Sequence, residues 1–113
     1  MIEIYHNNRC RKSREGLELL EKSGKKFKIV KYLEEIPSKE ELKKIIALLG
    51  IKPIDLVRRT EAIWKSDFKG KDLNDEAIIT AMVNNPKLIE RPIVINENKA
   101  VIGRPPSQIL DII

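Results

Sequence analysis

The hydrophobic and polar positions of the first third of the chain follow two periods in turn. Apolar and polar residues alternate over residues 1–5, which is typical of a strand. Leucines at helical spacing follow over residues 15–23, and Ser23-Gly24 is a common helix end. A second strand-like run covers residues 27–33. Strand, helix and strand in this order predict a βαβ unit, in which the two strands pair in parallel.

The middle of the chain is predicted to be helical. Ser38 and Glu41 form a capping-box pattern in front of apolar residues that recur at helical spacing until Gly50. A short apolar segment at residues 54–57 is followed by a polar connection through residue 71. Asn74 is a suitable N-cap for a further helix, which the sequence Asn-Asn-Pro at 84–86 ends.

The last third predicts two strands and a helix. Residues 91–95 form a continuous apolar run of the kind that is buried on both faces of a sheet, and residues 100–102 are its antiparallel partner after a turn. Residues 107–113 predict a closing helix of one to two turns. The fold expected from all three parts is a thioredoxin-like α/β fold, with a mixed four-stranded sheet, flanking helices and a helical insertion, in a single domain of residues 1–113.

Composition limits the classes of partner. The chain has 22 Lys and Arg against 17 Asp and Glu, a net charge of +5, so an anionic partner is plausible. Nucleic-acid binding is not expected, because aromatic residues make up only 4% of the chain and do not alternate with basic ones. No apolar run is long enough to cross a membrane. The single cysteine excludes an internal disulfide, and we expect a cytoplasmic monomer.

The candidate chemistry lies in residues 6–14, which contain the only cysteine and the only histidine. Cys10 falls between a strand and a helix, where the free N–H groups and the dipole of the helix stabilise an anion. In such surroundings a thiol pKa near ~8.5 can fall to roughly 3.5–7.5. The alternative is a buried cysteine that acts as a small apolar residue. The polar and charged residues on both sides of Cys10 are poorly suited to a core.

Three arginines are candidates for binding an oxyanion beside this thiol. If the sheet forms as predicted, Arg58, Arg91 and Arg104 converge on Cys10, and planar guanidinium groups can hold a tetrahedral anion. The alternative for each arginine alone is a surface salt bridge. Ser13 stands where a redox C-x-x-C motif has its second cysteine. Its hydroxyl can donate a hydrogen bond to the sulfur but cannot resolve an oxidised Cys10, so an external thiol must supply the electrons.

Other assignments are excluded or stay open. A phosphatase C-x5-R loop would need arginine at position 16, where the chain has Gly16. Cys10 and His6 alone provide too few ligands for a structural zinc, so no metal is expected. His6 either stands behind the thiolate as a cation or donor, or packs at the end of a strand. Pro92 opens a buried strand, where a cis bond is one option, although trans is the more common state.

The spaced set of these residues is similar, over nearly the whole chain, to the glutaredoxin-linked arsenate reductases of the ArsC family. The set consists of Tyr5-His6-Asn7, Cys10, Ser13, Arg14, Arg58, residues 91–94 and residues 103–105. The resemblance implies that Pro92 is cis and that Cys10 attacks arsenate. It implies further that Arg58, Arg91 and Arg104 hold the covalent adduct. The supporting residues for the thiolate and substrate would be His6, Asn7, Ser13 and Arg14.

The resemblance also implies the partners of the reaction. Glutathione would serve as co-substrate, glutaredoxin would recycle the thiol, and no cofactor would be bound. The chain departs from the family pattern at two positions, because Asn8 stands where proline is common and Arg11 stands where a small residue is common. Neither departure removes a catalytic group.

Two alternatives to arsenate reduction remain. The first is a thiol oxidoreductase of the same fold that acts on another substrate, such as a glutathione mixed disulfide. The second is a regulator that resembles Spx, a relative that binds RNA polymerase. Ser13 argues against the regulator, because that group usually has a C-x-x-C switch, and Arg104 beside the following Pro105 favours the enzymes.

Overall fold

The computed structural model describes all 113 residues, and their contacts group into two compact units. Residues 1–35 and 91–113 form the first unit, and residues 36–90 form the second. The sheet belongs entirely to the first unit, and the second is the helical insertion between its halves. None of the helices combines the length and the apolar character needed to cross a bilayer.

The sheet has the four predicted strands. These are β1 (Ile2–Tyr5), β2 (Phe27–Val30), β3 (Ile93–Asn96) and β4 (Lys99–Ile102). They lie in the order β2-β1-β3-β4, with β1 parallel to β2 and the other two pairs antiparallel. The mixed four-stranded sheet is therefore confirmed. Strand β2 ends earlier than predicted, because the N–H groups of Glu34 and Glu35 both donate to the Lys31 carbonyl oxygen in a turn.

Two helical elements complete the first unit. Helix α1 (Arg11–Ser23) ends at Gly24, which has a φ of 74° as a left-handed cap requires. The predicted closing helix is present as a 3₁₀ helix (Pro106–Asp111), which begins one residue earlier than predicted and ends two residues earlier. These elements cover a buried cluster on one face of the sheet, which consists of Ile2, Ile4, Leu20, Val94 and Ile109.

The second unit contains both predicted helices and one that was not predicted. Helix α2 (Lys39–Leu49) has the full capping box of Ser38 and Glu41. The additional helix, α3 (Ala62–Asp67), lies in the segment predicted to be a polar connection. Helix α4 (Asp75–Asn84) begins at Asn74, whose side chain accepts the Ala77 N–H at 2.8 Å. Two 3₁₀ turns, Pro53–Leu56 and Pro86–Leu88, connect these helices to the rest of the unit.

Candidate active site

Cys10 is the N-cap residue of α1. Its backbone is extended, with φ −97° and ψ 123°, and its carbonyl oxygen accepts the Arg14 N–H at 3.0 Å. The Cys10 N–H donates to the Asn7 carbonyl oxygen at 3.0 Å, which closes a tight turn between β1 and the helix. The side chain is partly exposed. The strand-to-helix position predicted from the sequence is therefore where the cysteine lies, and a reagent can reach it.

The first unit places its buried polar side chains around this loop. His6, Asn7, Ser13 and Arg91 are each no more than 7% exposed, and Ser13 is fully buried. The Ser13 hydroxyl oxygen accepts the Asn7 N–H at 2.9 Å and lies 2.7 Å from Nδ1 of His6. The sequence suggested that this hydroxyl can donate to the sulfur, whereas in the structure it is bonded to Asn7 and His6. Burying polar groups is costly unless they are paired, so this network has a structural role.

Asn7 holds the loop through three separate groups. Its N–H donates to Ser13, its carbonyl oxygen accepts the Cys10 N–H, and its side-chain Oδ1 accepts the Arg9 N–H at 3.0 Å. Side chains that bind the backbone two residues ahead mimic a turn and stabilise it. Asn7 therefore sets the path of the chain into Cys10.

The surroundings of Cys10 favour the thiolate. Burial alone would raise the pKa of the thiol, since a charged sulfur loses solvation. The backbone N–H of Ser13, the side chain and charge of Arg91, and the backbone N–H of Lys12 oppose this effect, and the net result lowers the pKa of Cys10 to about 7. The backbone contributions come from the first turn of α1, where N–H groups have no partner within the helix. At neutral pH a large part of the thiol is therefore ionised.

Arg91 and Arg104 meet at the start of β3. The Arg91 side chain lies close enough to Cys10 to lower the pKa of its thiol, by hydrogen bonding and by charge. Arg104 Nη1 donates to the Arg91 carbonyl oxygen at 3.0 Å, so the second guanidinium lies against the backbone of the first. Both arginines precede prolines with cis peptide bonds, Arg91-Pro92 and Arg104-Pro105. The second of these bonds has no counterpart in the sequence interpretation.

Two glycines make room for Pro92 beside Arg91. A Cβ atom at either Gly16 or Gly103 would lie 2.9 Å from Pro92 Cγ, closer than real Cβ contacts, and 3.1 Å from Ile109 Cδ1, which is tighter than most of them. Gly16 belongs to α1, so the helix that carries Cys10 packs directly on the proline that follows Arg91. From the sequence, Gly16 only excluded a phosphatase loop, and its contact with Pro92 was not predicted. A glycine inside a helix is the signal that could have pointed to a close approach.

Arg58 belongs to the second unit. Its N–H donates to the Leu88 carbonyl oxygen at 2.6 Å, beside a bridge between Val57 and Ile89. Its Nε lies 3.8 Å from a Glu61 carboxylate oxygen, and the buried Nε and Nη1 atoms have no hydrogen-bond partner. Two donors of the guanidinium are therefore buried without a hydrogen-bond partner. Its participation in a site with Cys10 stays a prediction.

His6 and Arg14 support the loop and not the sulfur directly. Burial lowers the pKa of His6, a backbone contact with Ser13 opposes this, and the charges of Arg14 and Lys31 lower it further. The ring is therefore mainly neutral at pH 7, which does not favour the cationic role left open for it. Arg14 Nη1 donates to the Asn8 carbonyl oxygen at 3.0 Å and clamps the outer side of the loop. No group of three or more His, Cys, Asp or Glu side chains could hold a metal ion.

Comparison with known proteins gives a consistent result. The model of the ArsC family matches residues 5–112. The chain is 44% identical to an arsenate reductase of Haemophilus influenzae, over 99% of this chain and 98% of the relative, and 45% identical to the YfgD protein of Escherichia coli K12, over 99% and 96%. The solved structure of an arsenate reductase from Vibrio cholerae superposes with a TM-score of 0.94 at 45% identity, over 99% of this chain and 97% of that one. The thioredoxin-like architecture is thereby confirmed, and the chain belongs to the ArsC family.

Proposed function

We propose that the protein reduces arsenate to arsenite through a covalent adduct on Cys10, with glutathione as co-substrate and glutaredoxin as the partner that recycles the thiol. The observation that carries the proposal is the Cys10 thiol itself, whose pKa is about 7 at the start of a helix and beside Arg91. A thiolate among cations can attack an anion that the same cations bind. The names of the relatives from Haemophilus and Vibrio favour arsenate as that anion.

The first step forms the adduct. The Cys10 thiolate attacks arsenic(V), a sulfur–arsenic bond forms, and one arsenate oxygen leaves as water after taking up protons. Arg91 and Arg104 hold the remaining oxygens, because guanidinium groups stabilise the charge on a tetrahedral oxyanion. The first-turn N–H groups of α1 supply further donors for the same oxygens.

The second step transfers two electrons. The thiolate of glutathione attacks the Cys10 sulfur, a sulfur–sulfur bond forms, and the electron pair of the sulfur–arsenic bond stays with arsenic. Arsenic(V) becomes arsenic(III), which takes up a proton and leaves as arsenite, while Cys10 remains as a mixed disulfide with glutathione. A thiol of glutaredoxin then attacks the glutathione sulfur and releases the Cys10 thiolate.

An external reductant follows from the position of Ser13. Its hydroxyl is buried and bonded to Asn7 and His6, and it cannot form a disulfide with Cys10. Both electrons must come from Cys10 and a second thiol, so the reaction requires no bound cofactor. We propose that the protein works as a monomer in the cytoplasm, where thiol reductants are maintained.

The test is arsenate turnover coupled to the consumption of NADPH by glutathione reductase, with glutathione and an active glutaredoxin present. We expect turnover by the native protein and none by Cys10→Ser. Arg11→Gln is the matched control, because Arg11 is highly exposed and pairs with Glu15. Mass spectrometry of the protein with arsenate and glutathione should detect the mixed disulfide on Cys10.

The opposite results separate the alternatives. A reactive Cys10 that turns over glutathione mixed disulfides but not arsenate would replace the proposal with a general thiol oxidoreductase. Absence of both activities together with specific binding to RNA polymerase in a pull-down would favour the Spx-like regulator.

A further inference from the structure

A cavity of about 360 Å³ lies beside the Cys10 loop, within the first unit, and none of the steps above uses it. One wall is the loop that precedes Cys10, and the other is the turn that follows β2. The side chains that give the cavity its chemistry are His6, Asn7, Arg9, Lys31, Leu33 and Glu34.

The two walls are held in place by the sheet. Strands β1 and β2 are parallel, so the segments that leave their carboxyl ends lie side by side. The His6 N–H donates to the Val30 carbonyl oxygen at 2.9 Å and continues the pairing into the cavity wall. The turn bonds of Glu34 and Glu35 to Lys31 fix the other side. The cavity is therefore formed before any ligand arrives, which lowers the entropic cost of binding.

The charged groups of the cavity are free to bind a ligand. Arg9, Lys31 and Glu34 are exposed, and no salt bridge engages any of them. Two cations and one carboxylate complement a molecule that has two carboxylates and one ammonium group. Leu33 adds an apolar surface between them.

The cavity is also close to the reacting residue along the chain. Arg9 immediately precedes Cys10, and the wall residues His6 and Asn7 bind the Ser13 hydroxyl, while the Ser13 N–H faces the sulfur.

We propose that this cavity binds the peptide-thiol reductant, a small thiol peptide with two carboxylates and one ammonium group such as glutathione. The inference rests on the proposed function, since it gives the second thiol of that reaction its place. Arg9 and Lys31 bind the two carboxylates, Glu34 binds the ammonium group, and the thiol is directed at the Cys10 sulfur. The attack forms a sulfur–sulfur bond and expels the group already attached to Cys10 with its electron pair.

The test uses a reaction that does not need arsenate. Cys10 is first labelled with 5,5′-dithiobis(2-nitrobenzoate), and attack by a second thiol then releases the coloured thionitrobenzoate and leaves that thiol on Cys10. We expect the rate to saturate with glutathione and to rise linearly with 2-mercaptoethanol, which has no charged groups to bind. In Lys31→Gln the half-saturating glutathione concentration should rise roughly tenfold, as expected for the loss of one charge-assisted contact.

The controls distinguish binding from a general change in the thiol. The rate constant with 2-mercaptoethanol should stay within twofold of the native value in Lys31→Gln. Lys28→Gln makes the same change of charge at an exposed position of β2 that does not line the cavity, and it should behave as the native protein. Glu34→Gln should weaken the binding of glutathione but leave the binding of N-acetylglutathione unchanged, because N-acetylglutathione has no ammonium group.

Three results would overturn the inference. The first is a release rate that rises linearly with glutathione concentration in the native protein. The second is an unchanged half-saturating glutathione concentration in Lys31→Gln. The third is an equal reduction of the rate with glutathione and with 2-mercaptoethanol in that variant. A failure of the proposed function is distinguishable from these, because it would abolish arsenate turnover and leave the exchange reaction with its preference for glutathione.

Discussion

Cys10 is the residue on which the chemistry depends, and its ionisation is the first quantity to measure. Because the pKa of Cys10 is about 7, the rate of alkylation by iodoacetamide should rise with pH through about 7 and level off above pH 8. Arg91→Gln removes the side-chain contact and the charge that favour the thiolate, so the midpoint should move to higher pH. A midpoint near ~8.5 would leave roughly 3% thiolate at pH 7, compared with about half in the native protein.

Arg11→Gln is the control for this titration. It removes one positive charge next to Cys10 in sequence, but the Arg11 side chain is 84% exposed and bonded to Glu15. Its midpoint should therefore match the native one, since exposed charges act weakly through solvent. Equal shifts in both variants would mean that general positive charge, and not the Arg91 contact, sets the pKa.

Replacing Ser13 should lower the stability of the protein without changing the reactivity of Cys10. Ser13→Ala deletes the hydroxyl that pairs with the Asn7 N–H and the His6 ring but keeps the backbone N–H near the sulfur. Leaving buried polar groups unpaired should lower the free energy of unfolding by about 2 kcal/mol, while the alkylation midpoint stays near the native value. Urea denaturation measures the first effect. Ser66→Ala, at an exposed serine of α3, should cost less than about 0.5 kcal/mol.

At the scale of elements, the contact of α1 with Pro92 predicts the sign of a mutation. Alanine is favoured over glycine in a helix by about 1 kcal/mol, so Gly16→Ala would ordinarily stabilise α1. The new Cβ would instead lie 2.9 Å from Pro92 Cγ, and such overpacking typically costs about 1–3 kcal/mol. We therefore expect a lower midpoint of thermal unfolding and a slower Cys10 alkylation, as Arg91 shifts with Pro92. A stabilised variant would show that the helix and Pro92 are not in close steric contact at Gly16.

The predicted elements are those with a strong local signal. Helix α2 has a capping box and three buried apolar side chains, and β3 begins with three consecutive buried apolar residues. Helix α3 was missed because it has six residues and only Trp64 of them is buried, too short a segment for helical periodicity to be read. The closing segment is a 3₁₀ helix with Pro106 at its first position and Ile109 as its only buried residue, which an apolar pattern cannot distinguish from an α-helix.

The sequence predicted which residues lie at the site better than it predicted the contacts that they make. Cys10 at the helix start and Arg91 beside it follow from the strand order, because β3 lies next to β1 in the sheet. The use of the Ser13 hydroxyl by His6 and Asn7 was not predictable, since the direction of a side chain in a tight turn depends on the loop bonds of Asn7. The close approach of Gly16 to Pro92 joins segments distant in sequence, so the glycine inside α1 signals a close contact but not its partner.

For the whole molecule, the net charge of +5 should govern how anions approach Cys10. The effect can be measured with two reagents that alkylate the same sulfur, the anion iodoacetate and the neutral iodoacetamide. At pH 9 the thiol is ionised throughout, so only the approach of the reagent varies. Raising the ionic strength from about 0.01 to 0.15 M shortens the screening length from about 30 to 8 Å. The iodoacetate rate should therefore fall about threefold or more, and the iodoacetamide rate should change little.

Two variants determine whether the attraction is local. Arg9→Gln removes an exposed charge that immediately precedes Cys10 and that no salt bridge compensates, and Lys26→Gln removes one just beyond the end of α1, about 20 Å away along the helix. Both lower the net charge equally, but at 0.15 M salt only the first lies within the screening length of Cys10. We expect Arg9→Gln alone to reduce the iodoacetate rate at that ionic strength, and both variants to reduce it at low salt. Equal effects at 0.15 M would contradict local steering, because the second charge should then be screened from the thiolate.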